Sequence, residues 1–164
     1  MTREEKSIAI GDLTAQLAGT NIVYVADISG LNAETTSNLR RACFKAGIKL
    51  EVVKNTLLAK AMEASNKDFG DLPLTLKGNT SIFIADVANA PAKIIKDFRK
   101  KSDKPLLKGA FINDEVYIGD NLLDSLVNIK SRDEVIGEII GLLQSPAQRV
   151  ISALKNQFKE EVAE

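Results

Sequence analysis

The chain contains no histidine and no tryptophan, and it has one cysteine in 164 residues. Without histidine it lacks the commonest general base and the commonest metal ligand. Cys43 alone can form neither an internal disulfide nor a structural zinc site, and it fits a reducing cytosol. No apolar run approaches the roughly 20 residues that cross a bilayer, so no membrane span is expected. Glycine gives no phosphate-binding or dinucleotide pattern; Gly78 and Gly109 stand isolated. Asp27, Asp86 and Asp97 are the remaining candidates for acid–base or magnesium chemistry. The first two sit where a strand gives way to a loop, the ordinary place for a solvated cap. The sequence therefore offers no catalytic residue, no metal site and no cofactor cradle, and a protein that is not an enzyme is expected. The opening Met1-Thr2-Arg3-Glu4-Glu5-Lys6 is charged and runs straight into a helical pattern, unlike a secretory signal, so a cytoplasmic location is expected.

What is present suits one core-bearing domain with an appendage: 45% apolar and 27% charged residues. Net charge is zero, yet residues 1–110 hold 17 Lys/Arg against 12 Asp/Glu, and residues 111–164 hold 5 against 10. The first part suits phosphates, the second neutral or protein surfaces.

Thr2-x-x-Glu5 is a capping box, opening a helix that runs to Gly19. Asn21–Asp27 is a short buried strand. Asn32 can cap a helix to Ala46, with Gly47 as its left-handed stop. Ile48–Val53 reads as a half-exposed strand, followed by a helix from Asn55 to Ala64. Thr80–Ala85 is a second apolar strand. Pro91 suits the first turn of a helix reaching Lys101. Leu106–Ile112 and Val116–Ile118 form a hairpin through Asn113-Asp114, and a short helix covers Gly119–Val127. The expected class is α+β: a small mixed sheet with helices packed on one side, of the ferredoxin-like plait type, followed by a long kinked C-terminal helix.

That last helix starts at a second capping box, Ser131-x-x-Glu134, and continues to Glu164 with Pro146 as its one interruption. The chain is thus expected to divide into a globular domain, 1–130, and a helix, 131–164. The apolar stripe falls into Val135–Leu143 and, after the proline, Ala147, Val150, Ile151, Leu154, Phe158 and Val162. Such a stripe needs a cover. It can fold back on its own domain, self-associate, or hold a partner protein. Heptad register fails across Pro146, which favours a partner.

Between positions 40 and 60 lie Arg40, Arg41, Lys45, Lys49, Lys54 and Lys60, against one acid, Glu51. Arg41 and Lys45 fall one turn apart on an outer helical face. Lys54 and Asn55 lie where a strand ends and a helix begins, and there the helix dipole favours a phosphate. Lys77-Gly78-Asn79-Thr80 adds a donor-rich turn. This concentration at strand ends and helix starts points to nucleic acid. With few aromatics, recognition of RNA shape and backbone is expected rather than of splayed bases.

Val52-Val53-Lys54-Asn55-Thr56-Leu57-Leu58-Ala59-Lys60-Ala61 closely resembles a segment of the bacterial ribosomal stalk-base protein family, protein ten of the large subunit, a relative of the eukaryotic acidic stalk protein zero. Gly30-Leu31, Leu39-Arg40-Arg41 and Ala46-Gly47 resemble another of its stretches. Leu76-Lys77-Gly78-Asn79-Thr80 is similar to its strand-leading turn, with Asn79 where the family usually has proline. The resemblance spans essentially the whole chain. It implies a structural protein of the cytoplasmic ribosome that binds 23S rRNA at the stalk base beside large-subunit protein eleven. It further implies that the C-terminal helix holds dimers of the acidic stalk protein, two by the helix's length, which recruit translational GTPases, and that the chain represses its own messenger. On this reading Arg40, Arg41, Lys45, Lys54, Asn55, Thr56, Lys60, Lys77 and Gly78 are the RNA candidates, and Ala147–Val162 is the firmest dimer site. Behind it stand a non-ribosomal RNA-binding or assembly factor of the same fold and a phosphate-processing enzyme.

Overall fold

The computed structural model describes residues 2–65, 67–100, 102 and 104–161, with backbone alone at 147 and 153–161. It divides into two compact units, Met1–Ile129 and Lys130–Glu164. In the first unit the strands are β1 (Ile22–Asp27), β2 (Lys49–Val52), β3 (Ser81–Ile84), β4 (Leu106–Ile112) and β5 (Glu115–Ile118). Its helices are α1 (Arg3–Gly19), α2 (Ala33–Lys45), α3 (Asn55–Ala64), α4 (Asn89–Arg99) and α5 (Leu123–Asn128), with 3-10 turns at Leu72–Thr75 and Asp120–Leu122.

The strands form one sheet of order β2-β3-β1-β4-β5. Every pairing is antiparallel, so the small sheet is not mixed. β1 and β2, joined through α2, are separated by β3; β3 and β4, joined through α4, are separated by β1. These two interlocked split βαβ units are the expected plait.

The expectation of helices on one side is corrected. On one face Tyr24 and Ala26 of β1 pack with Phe83 and Ala110 against Leu39 and Cys43 of α2, Ile95 of α4 and Leu126 of α5. On the other, Val23 and Val25 pack with Ile82 and Phe111 against Leu17 of α1 and Leu58 and Met62 of α3. The reason lies in β1 itself: Ile22 to Ala26 are all buried, with no polar residue to turn toward water. The Tyr24 hydroxyl is satisfied inside the core, donating to the Ala88 carbonyl at 2.6 Å. Phe69 and Phe111 meet on the second face with ring centroids 4.6 Å apart, tilted by 46°.

Local chemistry sets the ends. Thr2 and Glu5 form the reciprocal capping box of α1. Asn32 occupies the N-cap of α2, but its side chain makes no capping bond. Ala46 is the exposed C-cap of that helix, and Gly47 follows at φ +70°. α4 ends at Arg99, short of Lys101, which lies outside the described residues. Asn113 and Asp114, at φ 49° and 70°, make the two-residue turn of the β4–β5 hairpin.

The second unit is α6 (Arg132–Glu161), capped by Ser131, whose hydroxyl accepts from Glu134 N while Glu134 accepts from Ser131 N. The break expected at Pro146 is absent: the helix runs continuously through it. Proline removes the N–H that would bond the carbonyl four residues back, at Leu142. The Ser145 hydroxyl donates to that same carbonyl at 3.0 Å and replaces the lost donor.

Gly109 tests the packing of the first unit. A Cβ there would lie 2.8 Å from the Tyr117 carbonyl oxygen and 2.6 Å from Leu72 Cδ2. Since backbone cannot yield cheaply, Gly109→Ala should destabilise the chain by about 1–3 kcal/mol, read as a lower urea midpoint with an unchanged m-value. An unaltered midpoint would show that β4 and β5 can part at this position.

Candidate nucleic-acid interface

The sequence-predicted cations fall into two groups. Lys54, Asn55, Thr56 and Gly78 come together around a cleft of about 340 Å³, also lined by Val52, Val53, Asn79 and Thr80. Asn55 assembles it. Its side-chain amide donates to the Leu76 carbonyl at 2.9 Å and to the Gly78 carbonyl at 2.7 Å, tying the start of α3 to the turn before β3. Gly78 holds φ +75°, a conformation that favours glycine. Lys54 is the N-cap of α3 and supplies no capping bond, so the positive end of the helix is left uncapped by it. Lys77 adjoins the cleft, and Lys60 lies one turn beyond Thr56 on α3. Lys54, Lys60 and Lys77 are exposed. No side chain among the described residues binds their ammonium groups, whereas Lys96 pairs with Asp124 and Arg99 with Asp120. The charge at this end of the sheet is therefore available to an anion.

Lys108 is a member that sequence reasoning missed. Between β1 and β4 the register steps from Val25↔Gly109 to Ala26↔Leu107, which makes Lys108 the extra, bulged residue. Its ammonium donates to the Asn79 carbonyl and, at 2.9 Å, to the Thr80 hydroxyl. Burial pulls its pKa down and the nearby Lys104 adds to that, against the opposing pull of Asp27. Asp27, weighed above as a catalytic candidate, accepts from Ser29 N at 2.8 Å and faces Lys104 at 3.6 Å. Burial raises its carboxyl, but the Ser29 bonds and the two lysines outweigh this and hold it below the usual range. It is a turn cap, paired and ionised.

Arg40, Arg41 and Lys45 are not part of this cleft. They lie on α2, which packs on the opposite face of the sheet from α3. There they line a shallow hollow of about 410 Å³ with Ser37 and Phe44. The two groups flank β2, an edge strand. Phe44, which the count of aromatics passed over, is 85% exposed.

The charge division also changes. Residues 111–129, with Asp114, Glu115, Asp120 and Asp124 and no Lys or Arg, belong to the first unit, so much of the acidic excess sits at its β5 end. On α6 every Ile, Leu and Val from 135 to 143 is exposed, as are Val150 and Ile151. The side chains of Ala147, Leu154 and Phe158 lie outside the described residues, as does the whole of Val162. None of the described helices is long and apolar enough to cross a membrane.

Comparison with known proteins adds the family. The family model described as Ribosomal protein L10 matches residues 1–100. The chain is 90% identical to large ribosomal subunit protein uL10 of Flavobacterium psychrophilum, over all of both chains. It is 43% identical to the protein of that name from Cytophaga hutchinsonii, over 97% of this chain and 96% of the relative. It is 31% identical to that of Cupriavidus pinatubonensis, over 96% and 91%.

The Asn55 clamp can be tested by itself. Asn55→Ala removes two donors and should lower stability by about 1–2 kcal/mol. Asn55→Asp sets a carboxylate against two carbonyls and should cost more, with faster amide exchange across residues 76–80. Equal stability of the two variants would mean that the turn is held without the amide.

Proposed function

The chain belongs to the ribosomal protein L10 family and is a structural protein of the large ribosomal subunit; from that premise we propose that it is the base of the ribosomal stalk, with its globular unit on 23S rRNA and its C-terminal helix holding dimers of the acidic stalk protein. The observation that carries the RNA reading is the cleft at the start of α3. Lys54, Lys60 and Lys77, unpaired among the described residues, an uncapped helix N-terminus and a glycine turn that admits close backbone approach converge on one anion-binding surface. As a cytoplasmic ribosomal component the protein meets RNA phosphates as its main ligand, and protein eleven of the large subunit is its neighbour there. The same surface, offered to its own messenger, accounts for autogenous repression.

The helix reading rests on the exposed apolar stripe of α6. Thirty helical residues span about 45 Å. A dimer that covers about three turns needs roughly 15 Å, so the blocks before and after Pro146 accommodate one dimer each. The stalk dimers in turn recruit the translational GTPases.

Two measurements test these halves. Affinity for a stalk-base rRNA fragment should fall steeply with salt, each phosphate contact adding roughly 0.7–0.9 to the log–log slope. Lys54→Glu should weaken binding more than about ten-fold and reduce that slope; unchanged affinity would remove this surface from the interface. For the helix, native mass spectrometry should give two dimers per chain. Phe158→Asp and Ile151→Asp, both in the block after Pro146, should each release the dimer held there. Six partner copies would overturn the count, and none would overturn the adaptor reading.

A further inference from the structure

The structure assigns a second kind of RNA contact to α2: Phe44 and the cations beside it form a stacking site for one unpaired nucleotide. The inference rests on the RNA-binding reading above and extends it to a base contact on the other face of the sheet.

Ser37, Arg40, Arg41 and Phe44 recur at three- and four-residue steps, so they share one stripe of the helix, and Lys45 borders the same hollow. Phe44 is the most exposed large apolar side chain among the described residues, whereas Phe69, Phe83 and Phe111 are buried. Its ring has no aromatic or cation–π contact among those residues, so its faces are open. The side chains of Arg40, Arg41 and Lys45 take part in no hydrogen bond or ion pair there, and no acid occurs from Ser37 to Gly47.

This combination selects the occupant. A protein surface that covered the ring would also desolvate three cations that have no partner among the described residues. A nucleotide brings a flat π-face and an anionic phosphate together, so it covers the ring and pairs the charge at once. The base must be unpaired, because in a helix both of its faces are already stacked. Since the hollow and the Lys54 cleft flank edge strand β2 on opposite faces, an RNA that reaches both wraps that edge. Recognition is then not of backbone alone, as the scarcity of aromatics suggested.

Phe44→Ala, Phe44→Tyr and Lys54→Glu variants of the full chain, titrated against a stalk-base 23S rRNA fragment, test the site. Phe44→Ala should weaken binding about ten-fold with the salt slope unchanged, because a stacking contact and no phosphate contact is lost. Phe44→Tyr should bind like the parent, and thermal unfolding should match in all three phenylalanine-site proteins. Ultraviolet irradiation of the parent complex should crosslink a base to the peptide that carries Phe44. If Phe44→Ala binds like the parent while Lys54→Glu does not, the stacking site is overturned and the RNA reading stands, with the ring left to a protein contact. If neither variant loses affinity, the RNA reading fails and takes the stacking site with it.

Discussion

Strand β1 has apolar side chains on both of its faces, and the rest of the globular unit follows from covering them. A sheet whose central strand cannot present a polar face to water must lie between two layers of helix. The split βαβ units supply α2 and α4 to one layer, which α5 completes; α1 and α3 make the other. This arrangement also distributes the positive charge. The basic run from Arg40 to Lys60 is continuous in sequence, yet α2 and α3 carry its two ends to opposite sides of the sheet. What joins them is β2, the edge strand between them in the chain.

The turn before β3 shows how a local departure from a family pattern is absorbed. Asn79 stands where proline would fix the backbone by its ring. Here the same segment is held by side chains from elsewhere: Asn55 binds the carbonyls of Leu76 and Gly78, and Lys108 binds those of Asn79 and the Thr80 hydroxyl. The pinning groups come from α3 and from a bulge in β4. The turn's geometry is thus coupled to both elements, and on the proposed reading a phosphate seated on α3 would meet a turn already in position.

Features written in local sequence were legible. Both capping boxes, the Gly47 stop, the Asn113-Asp114 hairpin and the apolar strands need only neighbours within a few positions, and residue type decides them. The side on which each helix packs was not legible, because an amphipathic helix does not say which of two apolar sheet faces it meets. Even so, the unbroken apolar run Ile22–Ala26 did signal burial on both faces. The cleft's lysines were legible as charges, but its assembly was not: Asn55 reaches across 21 and 23 residues, and Lys108 acts from a bulge that no periodicity marks. Phe44 escaped because aromatics were counted rather than placed. At three and four residues after the two arginines, its spacing already set it among cations.

The distribution of charge across the sheet gives the unit an orientation. The cations flank β2 at one edge, while Asp114 and Glu115 sit at the β5 edge, with Asp120 and Asp124 neutralised by Arg99 and Lys96. Five strands place those edges about 19 Å apart. That is more than twice the screening length of about 8 Å at physiological salt. On the proposed RNA reading, acids at the far edge therefore subtract little from phosphate binding at β2, yet they repel a phosphate surface that approaches from the β5 side. On that reading the unit would meet RNA by one edge, with the opposite edge turned toward solvent or protein.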